Sequence, residues 1–464
     1  MSGRQLSPYE NAMAAGGVEA RTGTPTVISA AMYFNKLPSH AALQEMIKLH
    51  FLSFDALAGV PKNGRWEPVA FDESKHLLFA VVDNEAALVP WIEKAMVTPL
   101  VNKASGPWWE IHAVSTRDAS QALLFFRVEH ACADGIALTQ VLSRVCTSLD
   151  GSPMPAAAYT KRPKEKADFC AVLCAALKAA FKYAVLPFGP YDSDLPITPP
   201  LAERAAGLHF NGQRKLVQVP PHPLSQIKAI KNAAGDATTI NDVIYAAFAG
   251  ALRRYCQMRA EQGSWESASW ENDATAARAL VPITFPRAAD APLINDWTFV
   301  NTELPLLEET PAARLAKTHA IFSALKASPE ALVARAAVAA NANNPPCMFG
   351  MIGQATFSRH SIVFSNVPGP ADRVRVAGEE VLAIWPIFPN LIPQLLCVSY
   401  DGNVYMTLAL DSTLATEPET LSAFYLDELR ALEEAFEADP ADAAAAARTR
   451  PAIAASKKGS TEMV

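Results

Sequence analysis

The chain has 464 residues, of which half are hydrophobic, and its 40 basic and 47 acidic side chains give a formal net charge of −7. So much apolar material excludes a largely disordered chain. The excess of acidic residues argues against general nucleic-acid binding, because that function needs clustered lysines and arginines that bind the phosphate groups. The glycine patterns GxGxxG and GxxxxGKS/T are absent, so the standard dinucleotide and phosphate cradles are absent as well.

The seven cysteines are scattered, form no CxxC pair and show no zinc-ligand spacing with histidine. We therefore expect no metal, no cofactor and a reduced, cytoplasmic compartment. The first residues lack the apolar core of a signal peptide, and no stretch holds the roughly 18 uncharged apolar residues that a membrane-spanning helix needs.

In the first half of the chain, strand-like and helix-like segments alternate. Ser39 is a candidate N-cap for a helix in which Leu43, Met46 and Ile47 share one face. A further helix is predicted over residues 88–96, and strands are predicted over residues 76–82, 108–115 and 123–130. The proline-rich run over 187–200 has the composition of a linker.

The second half shows the same mixture. Thr239 and Asp242 fit a capping box at the start of a long helix whose apolar face continues to Tyr255. An amphipathic helix is predicted over 419–436, and strands are predicted over 215–219, 280–284, 361–364, 395–400 and 404–410. The fold class is therefore α/β or α+β in two domains. The predicted division is a first domain over 1–190, a linker over 191–210, a second domain over 211–438 and a disordered tail over 439–464.

The predicted strand over residues 123–130 is the most informative segment. Side chains alternate across a strand, so Val128 and His130 share one face, and Arg127 and Glu129 point to the other face. A histidine therefore ends an apolar strand face.

A loop of small residues with Asp134 and Gly135 follows His130, and Gly135 can adopt the backbone angles of a sharp turn. This arrangement would hold an imidazole rigidly where a general base works best. The alternative is a core histidine that binds backbone groups, beside an ordinary Asp-Gly turn.

Five short motifs occur in order along the chain. The pattern HxxxDG, from His130 to Gly135, resembles the CoA-dependent acyltransferase superfamily, which includes chloramphenicol acetyltransferase, the condensation domains and the plant alcohol acyltransferases. Four further segments resemble those of one member, the wax ester synthase/diacylglycerol acyltransferase family: PWWE at 107–110, TINDVI at 239–244, NVPGP at 366–370 and SYDG at 399–402. The resemblance extends from about residue 6 to residue 436.

The resemblance implies two similar domains of the chloramphenicol acetyltransferase type, with an active-site channel at their interface. Acyl-CoA would enter from one face as the co-substrate, and the acceptor alcohol would enter from the other. His130 would be the general base that takes the hydroxyl proton as the oxygen attacks the thioester, with no covalent acyl-enzyme. The absence of a GxSxG nucleophile motif agrees with this mechanism.

Three residues would support the site. In the superfamily the aspartate of HxxxDG points away from the substrate and pairs with an arginine, which here implies a structural Asp134 that binds Arg287. Gly135 belongs to the same loop. Many members of the family have two consecutive histidines, and this chain has Glu129 at the first position. Because Glu129 lies on the face opposite His130, we expect it to change the support of the loop and to leave the base intact.

The channel would include Asn241, Asn366, Pro368 and Gly369. The resemblance places Asn241 near the channel, where it can orient a substrate oxygen; alternatively it is a polar residue that favours the helix cap. The segment over 366–370 is expected to form a wall or crossover loop at the domain interface.

The substrates implied by the resemblance are diacylglycerol and long-chain alcohols, with triacylglycerol or wax ester as products. Four basic residues over 161–166 precede the apolar run over 169–177, which suits the surface of an anionic membrane. The implied location is therefore the periphery of a membrane, either the endoplasmic reticulum, the plasma membrane or a lipid droplet. The alternative for this segment is an ordinary interdomain helix with a solvated charged flank.

Two other functions are compatible with these motifs. One is an HxxxDG acyltransferase that acts on a specialised alcohol or amine, although no carrier domain is attached and the plant-type DFGWG segment is missing. The other is a non-catalytic protein that binds acyl-CoA or lipid, against which the intact His130, Asp134 and Gly135 argue.

Overall fold

The structure is a computed structural model that describes residues 3–103, 106–155, 169–263, 265, 277–285, 287–288 and 291–436. The predicted tail and the basic cluster over 161–166 lie outside these residues. Among the helices of the described ranges, none is both long and apolar enough to span a bilayer.

The strands of the described residues are numbered in chain order: β1 Val27–Phe34, β2 Gly59–Lys62, β3 Arg65–Pro68, β4 Leu77–Val82, β5 Trp109–Thr116, β6 Ala122–Glu129, β7 Cys146–Ser148, β8 Arg214–Pro223, β9 Arg278–Thr284, β10 Trp297–Glu303, β11 Ile362–Val367, β12 Val374–Val376, β13 Glu379–Glu380, β14 Ala383–Ile387, β15 Gln394–Tyr400 and β16 Asn403–Asp411.

The α-helices of the same residues are α1 Pro8–Ala14, α2 Gly17–Thr22, α3 His40–Leu49, α4 Asp55–Ala58, α5 Leu88–Val97, α6 Gly135–Val145, α7 Phe169–Val185, α8 Leu201–Ala206, α9 Leu224–Ala234, α10 Ile240–Glu261, α11 Pro311–Ala327, α12 Glu330–Ala342, α13 Pro346–Phe357 and α14 Glu419–Ala435.

The strands form two main sheets. The first has the order β14-β1-β6-β5-β4, and only its β4–β5 pair is parallel. The second has the order β10-β9-β11-β15-β16-β8, in which β11 runs parallel to both of its neighbours. The mixed α/β class is confirmed, because helices and these two sheets make up most of the chain.

One strand of the first sheet comes from the second half of the chain. β14 pairs antiparallel with β1, with Ala31 opposite Trp385. The segment predicted as a linker also contributes to a core, since Leu195 and Ile197 are buried among the apolar residues around the second sheet. The domain boundaries drawn from the sequence stay a prediction.

The predicted helix starts are confirmed where local chemistry sets them. The side chain of Ser39 accepts a hydrogen bond from the backbone N–H of Ala42 and caps α3. Thr239 and Asp242 form the reciprocal capping box at the start of α10. Both caps satisfy backbone donors that the first helical turn leaves free.

Helix α10 runs through the core of the second half, and Gly250 lies where two other helices meet it. Arg314 of α11 and Glu428 of α14 form a buried ion pair over this position. A Cβ atom at residue 250 would lie 2.3 Å from a carboxylate oxygen of Glu428 and 2.8 Å from Nε of Arg314. The missing side chain therefore makes room for the ion pair.

We predict that Gly250→Ala destabilises the protein. Alanine in a helix interior is normally favoured over glycine by about 1 kcal/mol, but overpacking a filled core costs about 1–3 kcal/mol. The free energy of unfolding from urea titration measures the balance. An increase in stability would mean that the ion pair can move aside without cost.

Candidate active site

His130 is the first residue after β6, and the neighbouring strand fixes its backbone. Val27 of β1 lies opposite Glu129 of β6, and the N–H of His130 donates to the carbonyl oxygen of Thr26 at 2.7 Å. The predicted alternation along β6 is confirmed, because Val128 and His130 line a cavity. Arg127 points to the other face, where it donates to Glu110 at 2.8 Å.

The amide of Asn295 forms three hydrogen bonds here, two with His130 and one with Ala131. Its Nδ2 donates to the carbonyl oxygens of His130 at 2.7 Å and of Ala131 at 2.8 Å, so its Oδ1 faces Nδ1 of the imidazole at 3.1 Å. Because Oδ1 can only accept, Nδ1 carries the proton. The neutral ring therefore has its lone pair on Nε2, which binds no other described residue.

The surroundings favour the uncharged form of the imidazole. Burial lowers the pKa of His130, although the negative charge of Asp134 and the hydrogen bond with Asn295 act in the opposite direction. The side chain is therefore neutral at neutral pH, which is the state that can accept a proton.

Aromatic rings surround the imidazole. The ring centroid of Trp297 lies 5.2 Å from that of His130, and the ring of Phe388 stands nearly perpendicular to it at 6.0 Å. Tyr9 packs edge-on against Trp297 at 5.3 Å. These rings make the site apolar, which strengthens the electrostatic interactions inside it.

Asp134 is an anchor between the two halves of the chain. One carboxylate oxygen caps α6 by accepting from the N–H of Ala137 at 2.8 Å. The other accepts from Nη2 of Arg287 at 2.6 Å and from the N–H of Asp296 at 3.0 Å. The structure thus pairs Asp134 with Arg287, as the resemblance implies. Asn295 is the chain neighbour of Asp296, whose N–H is another of the donors to Asp134.

The interpretation of Gly135 as a sharp-turn residue is wrong. Gly135 is the first residue of α6 and has no positive φ angle. A Cβ atom at this position would lie 3.4 Å from a methyl group of Val367, which is an ordinary van der Waals distance. Gly135 lines the cavity, so the missing side chain leaves space there.

The four predicted channel residues divide into two groups. Asn241, Asn366 and Pro368 line the cavity. Asn366 donates to Oδ1 of Asn241 at 2.7 Å, which leaves the N–H₂ group of Asn241 as a donor. Gly369 does not belong to the described lining, contrary to the prediction. A Cβ atom there would lie 2.3 Å from the carbonyl oxygen of Ser399, so this glycine permits a close backbone contact.

Glu129 lies behind the histidine, on the face that the sequence predicts. Its buried carboxylate accepts a hydrogen bond from Thr26 and lies 3.2 Å from Nζ of Lys103. Burial raises the pKa of Glu129, and Lys103 acts in the opposite direction. Glu129 thus fixes Thr26, whose carbonyl group binds the backbone of His130.

The neighbouring PWWE motif has a structural role. Trp109 is fully buried, and its indole N–H donates to the carbonyl oxygen of Leu57 at 2.8 Å. Glu110 pairs with Arg127 as described above.

The cavity has a volume of about 1070 Å³ and lies between the two sheets. Strands β1 and β6 form one wall, strands β9, β11 and β15 form another, and residues of α6, α7, α12 and α13 complete the lining. Most of these side chains are apolar. Pockets for small ligands typically have volumes of roughly 300–1,000 Å³, so this cavity is large enough for long apolar groups.

Sequence reasoning missed Asn295 and Trp297. Asn295 lies in the irregular segment between β9 and β10, and Trp297 is the first residue of β10. Both are far along the chain from His130. A single asparagine before a strand belongs to no periodic sequence pattern, so nothing in the neighbouring sequence identifies Asn295 as a residue of the site.

A sequence model of the WS/DGAT C-terminal domain matches residues 295–433. The chain is 27% identical over 390 residues to a protein of Mycobacterium tuberculosis that is named as a diacylglycerol O-acyltransferase. The aligned residues cover 79% of this chain and 81% of the relative. A second such protein of the same species is 26% identical over 316 residues, 64% of this chain and 66% of the relative.

Two solved structures have the same fold. The wax ester synthase/diacylglycerol acyltransferase of Marinobacter aquaeolei has a TM-score of 0.61 at 19% identity and covers 93% of this chain and 100% of its own. Trichothecene 15-O-acetyltransferase of Fusarium sporotrichioides has a TM-score of 0.58 at 14% identity, with 93% and 94% covered.

The fold and the sequence relatives define an acyltransferase with two domains of the chloramphenicol acetyltransferase type. Residues 295–433 are similar to the C-terminal domain of the WS/DGAT family, and the chain as a whole is similar to mycobacterial proteins named as diacylglycerol O-acyltransferases.

We predict that Asp134→Ala lowers the stability of the protein by about 3–5 kcal/mol, because it leaves a buried arginine unpaired. Arg335→Gln is the matched control. It removes an ion pair with Asp296 whose arginine is half-exposed, and such pairs contribute about 0–1 kcal/mol. The midpoints of urea unfolding measure both effects. Equal midpoints for Asp134→Ala and the wild type would show that the carboxylate is no anchor.

Proposed function

We propose that the protein transfers an acyl group from acyl-CoA to the hydroxyl group of diacylglycerol or of a long-chain alcohol, forming triacylglycerol or wax ester. The observation that carries the proposal is the state of His130. Its imidazole is uncharged, Asn295 fixes the protonated Nδ1, and Nε2 is free at the wall of a large apolar cavity.

The proposed chemistry is direct transfer. Nε2 of His130 takes the hydroxyl proton as the alcohol oxygen attacks the thioester carbonyl carbon. The C–S bond breaks, and the imidazolium returns the proton to the leaving thiolate, so ester and free CoA are formed and the histidine is regenerated. No acyl-enzyme forms, and acyl-CoA is the co-substrate with no further cofactor.

The rate would have two main sources. A positioned general base typically contributes about 10²–10⁴-fold. Holding the two substrates together in one cavity converts a bimolecular step into an effectively unimolecular one. The free N–H₂ group of Asn241 can donate to a substrate oxygen, since its Oδ1 is held by Asn366.

Two observations support a lipid acceptor. The cavity is apolar and large, as long hydrocarbon chains require. The mycobacterial relatives carry the name diacylglycerol O-acyltransferase, and the Marinobacter neighbour carries both activities in its name. Because such acceptors and their esters are insoluble in water, we also propose that the protein works at the surface of a membrane or lipid droplet.

We predict that His130→Ala lowers ester formation by two or more orders of magnitude without loss of fold, because the change removes the base and leaves Asp134 and its partners in place. The assay offers palmitoyl-CoA with diacylglycerol, with hexadecanol or with a long-chain amine, and the neutral lipids are separated by thin-layer chromatography. His209→Ala, at an exposed position, is the matched control.

Near-normal turnover of His130→Ala would contradict the proposed mechanism. Transfer to the amine alone would identify a different acceptor class, and binding of acyl-CoA by a wild type that forms no product would identify a non-catalytic relative.

A second prediction concerns pH. Because burial lowers the pKa of His130, kcat/KM of the wild type should stay constant as the pH falls to the ordinary imidazole pKa of about 6.5 and should fall only below it. Asn295→Asp puts a carboxylate beside Nδ1 and stabilises the imidazolium. An opposite charge at this distance raises an imidazole pKa by about 1 unit or more, so the acid limb should move upward.

The measurement is a pH profile of kcat/KM for the two proteins, with Asn295→Ala as the uncharged comparison. An acid limb at the same pH in wild type and Asn295→Asp would show that the titrating group is not His130 or that Asn295 does not contact it in solution.

A further inference from the structure

Helix α7 carries a stripe of exposed apolar side chains. Leu173, Leu177, Phe181 and Val185 follow one another at intervals of four residues, so they lie on one side of the helix. Leu177 is 63% exposed and Phe181 is 71% exposed. We call these four residues the outer face of α7. Exposed apolar patches of this kind commonly mark interaction sites.

The opposite side of α7 packs against the protein, where Ala179 is buried. Ala180 and Ala184 lie beside the outer face and, together with Tyr183, line the cavity. The hydroxyl group of Tyr183 donates to the carbonyl oxygen of Phe299 at 3.1 Å, and Lys182 pairs with Glu330 of α12 at 2.6 Å. The helix is thus held by its inner side, and its outer face is directed away from the protein.

The outer face continues into the mouth of the cavity. Phe188, just after α7, is 83% exposed and also lines the cavity. Met348 and Met351 of α13 are likewise both exposed and part of the lining. Exposed apolar surface and cavity wall are therefore one continuous surface at this rim.

The charge of α7 differs from that of the whole chain. The sequence of Phe169–Val185 has two lysines and no acidic residue, whereas the chain as a whole has a formal charge of −7. Glu330 compensates the charge of Lys182, so the exposed Lys178 gives the helix its local positive charge. An anionic surface attracts this charge although it repels the average charge of the protein.

We propose that the outer face of α7 and the rim formed by Phe188, Met348 and Met351 dock on a lipid surface with anionic headgroups. In that orientation the cavity mouth opens toward the acyl chains, and a water-insoluble acceptor enters without crossing water. This rests on the proposed function for the identity of the acceptor. A second copy of the chain on the same face would cover the mouth that long apolar substrates must pass.

The test is flotation of the full chain with vesicles of phosphatidylcholine and phosphatidylglycerol, without substrates. The variant is Leu173→Gln/Leu177→Gln/Phe181→Gln, whose three positions do not line the cavity. The matched control is Phe79→Gln/Val81→Gln, two exposed apolar residues of β4 with 58% and 63% exposure. Because the strength of interfacial binding scales with the apolar area buried, we expect the triple variant to bind at least tenfold more weakly and the control to bind like the wild type.

A second readout separates docking from chemistry. With palmitoyl-CoA, the triple variant should lose esterification of diacylglycerol held in vesicles at least tenfold and should keep the wild-type rate with dissolved hexan-1-ol. Circular dichroism melting checks the fold, and Leu177→Gln serves as a milder variant if the triple change unfolds the protein; we expect it to weaken flotation in the same direction.

Three results would overturn the proposal: a wild type that does not float with the vesicles, a folded variant that floats like the wild type, or a variant that becomes monomeric by light scattering while its vesicle binding is unchanged. The last result would assign the face to self-association. A wild type that floats in an α7-dependent manner and forms no ester would instead refute the proposed function and leave the docking surface standing.

Discussion

The carboxylate of Asp134 holds the candidate site together. One oxygen caps α6, and the other binds Arg287 and the backbone of Asp296. A buried charge is tolerated only when its hydrogen-bonding capacity is satisfied, and three donors meet that condition here. Because Asn295 is the neighbour of Asp296, the contact that closes the interface also sets the imidazole of His130 in its proton-accepting form. The ion pair thus holds in place the segment whose Asn295 orients the imidazole of His130.

The two sides of the histidine differ in polarity. The charged groups Glu129, Lys103 and Arg287 lie behind it or at the interface, whereas the side toward the cavity is formed by aromatic and aliphatic residues. Hydrogen bonds on the side away from the cavity can therefore fix the imidazole ring, and the apolar residues on the cavity side disfavour its charged form. A carboxylate at the position of Asn295 would stabilise a protonated ring and could not donate to the carbonyl oxygens of His130 and Ala131.

The sequence predicts those features that depend on local geometry. The two-residue period of β6 separates the cavity face, with Val128 and His130, from the buried face with Arg127, and the caps at Ser39 and Thr239 follow from the donors that every helix start leaves free. Asn295 could not be found in this way, since it is 165 residues from its partner. The glycines were ambiguous for a different reason, because a missing Cβ can permit a positive φ, permit a close contact or leave open space. Gly369 permits a close contact, and Gly135 leaves space in the cavity.

The membership of β14 in the first sheet affects how the protein folds during its synthesis. β14 is the outer neighbour of β1, so β1 presents unpaired backbone groups until residues 383–387 have left the ribosome. At a synthesis rate of about 5–20 residues per second, the nascent chain keeps this open edge for on the order of tens of seconds. The topology therefore creates a period during translation in which the edge of β1 is open to pairing with other chains.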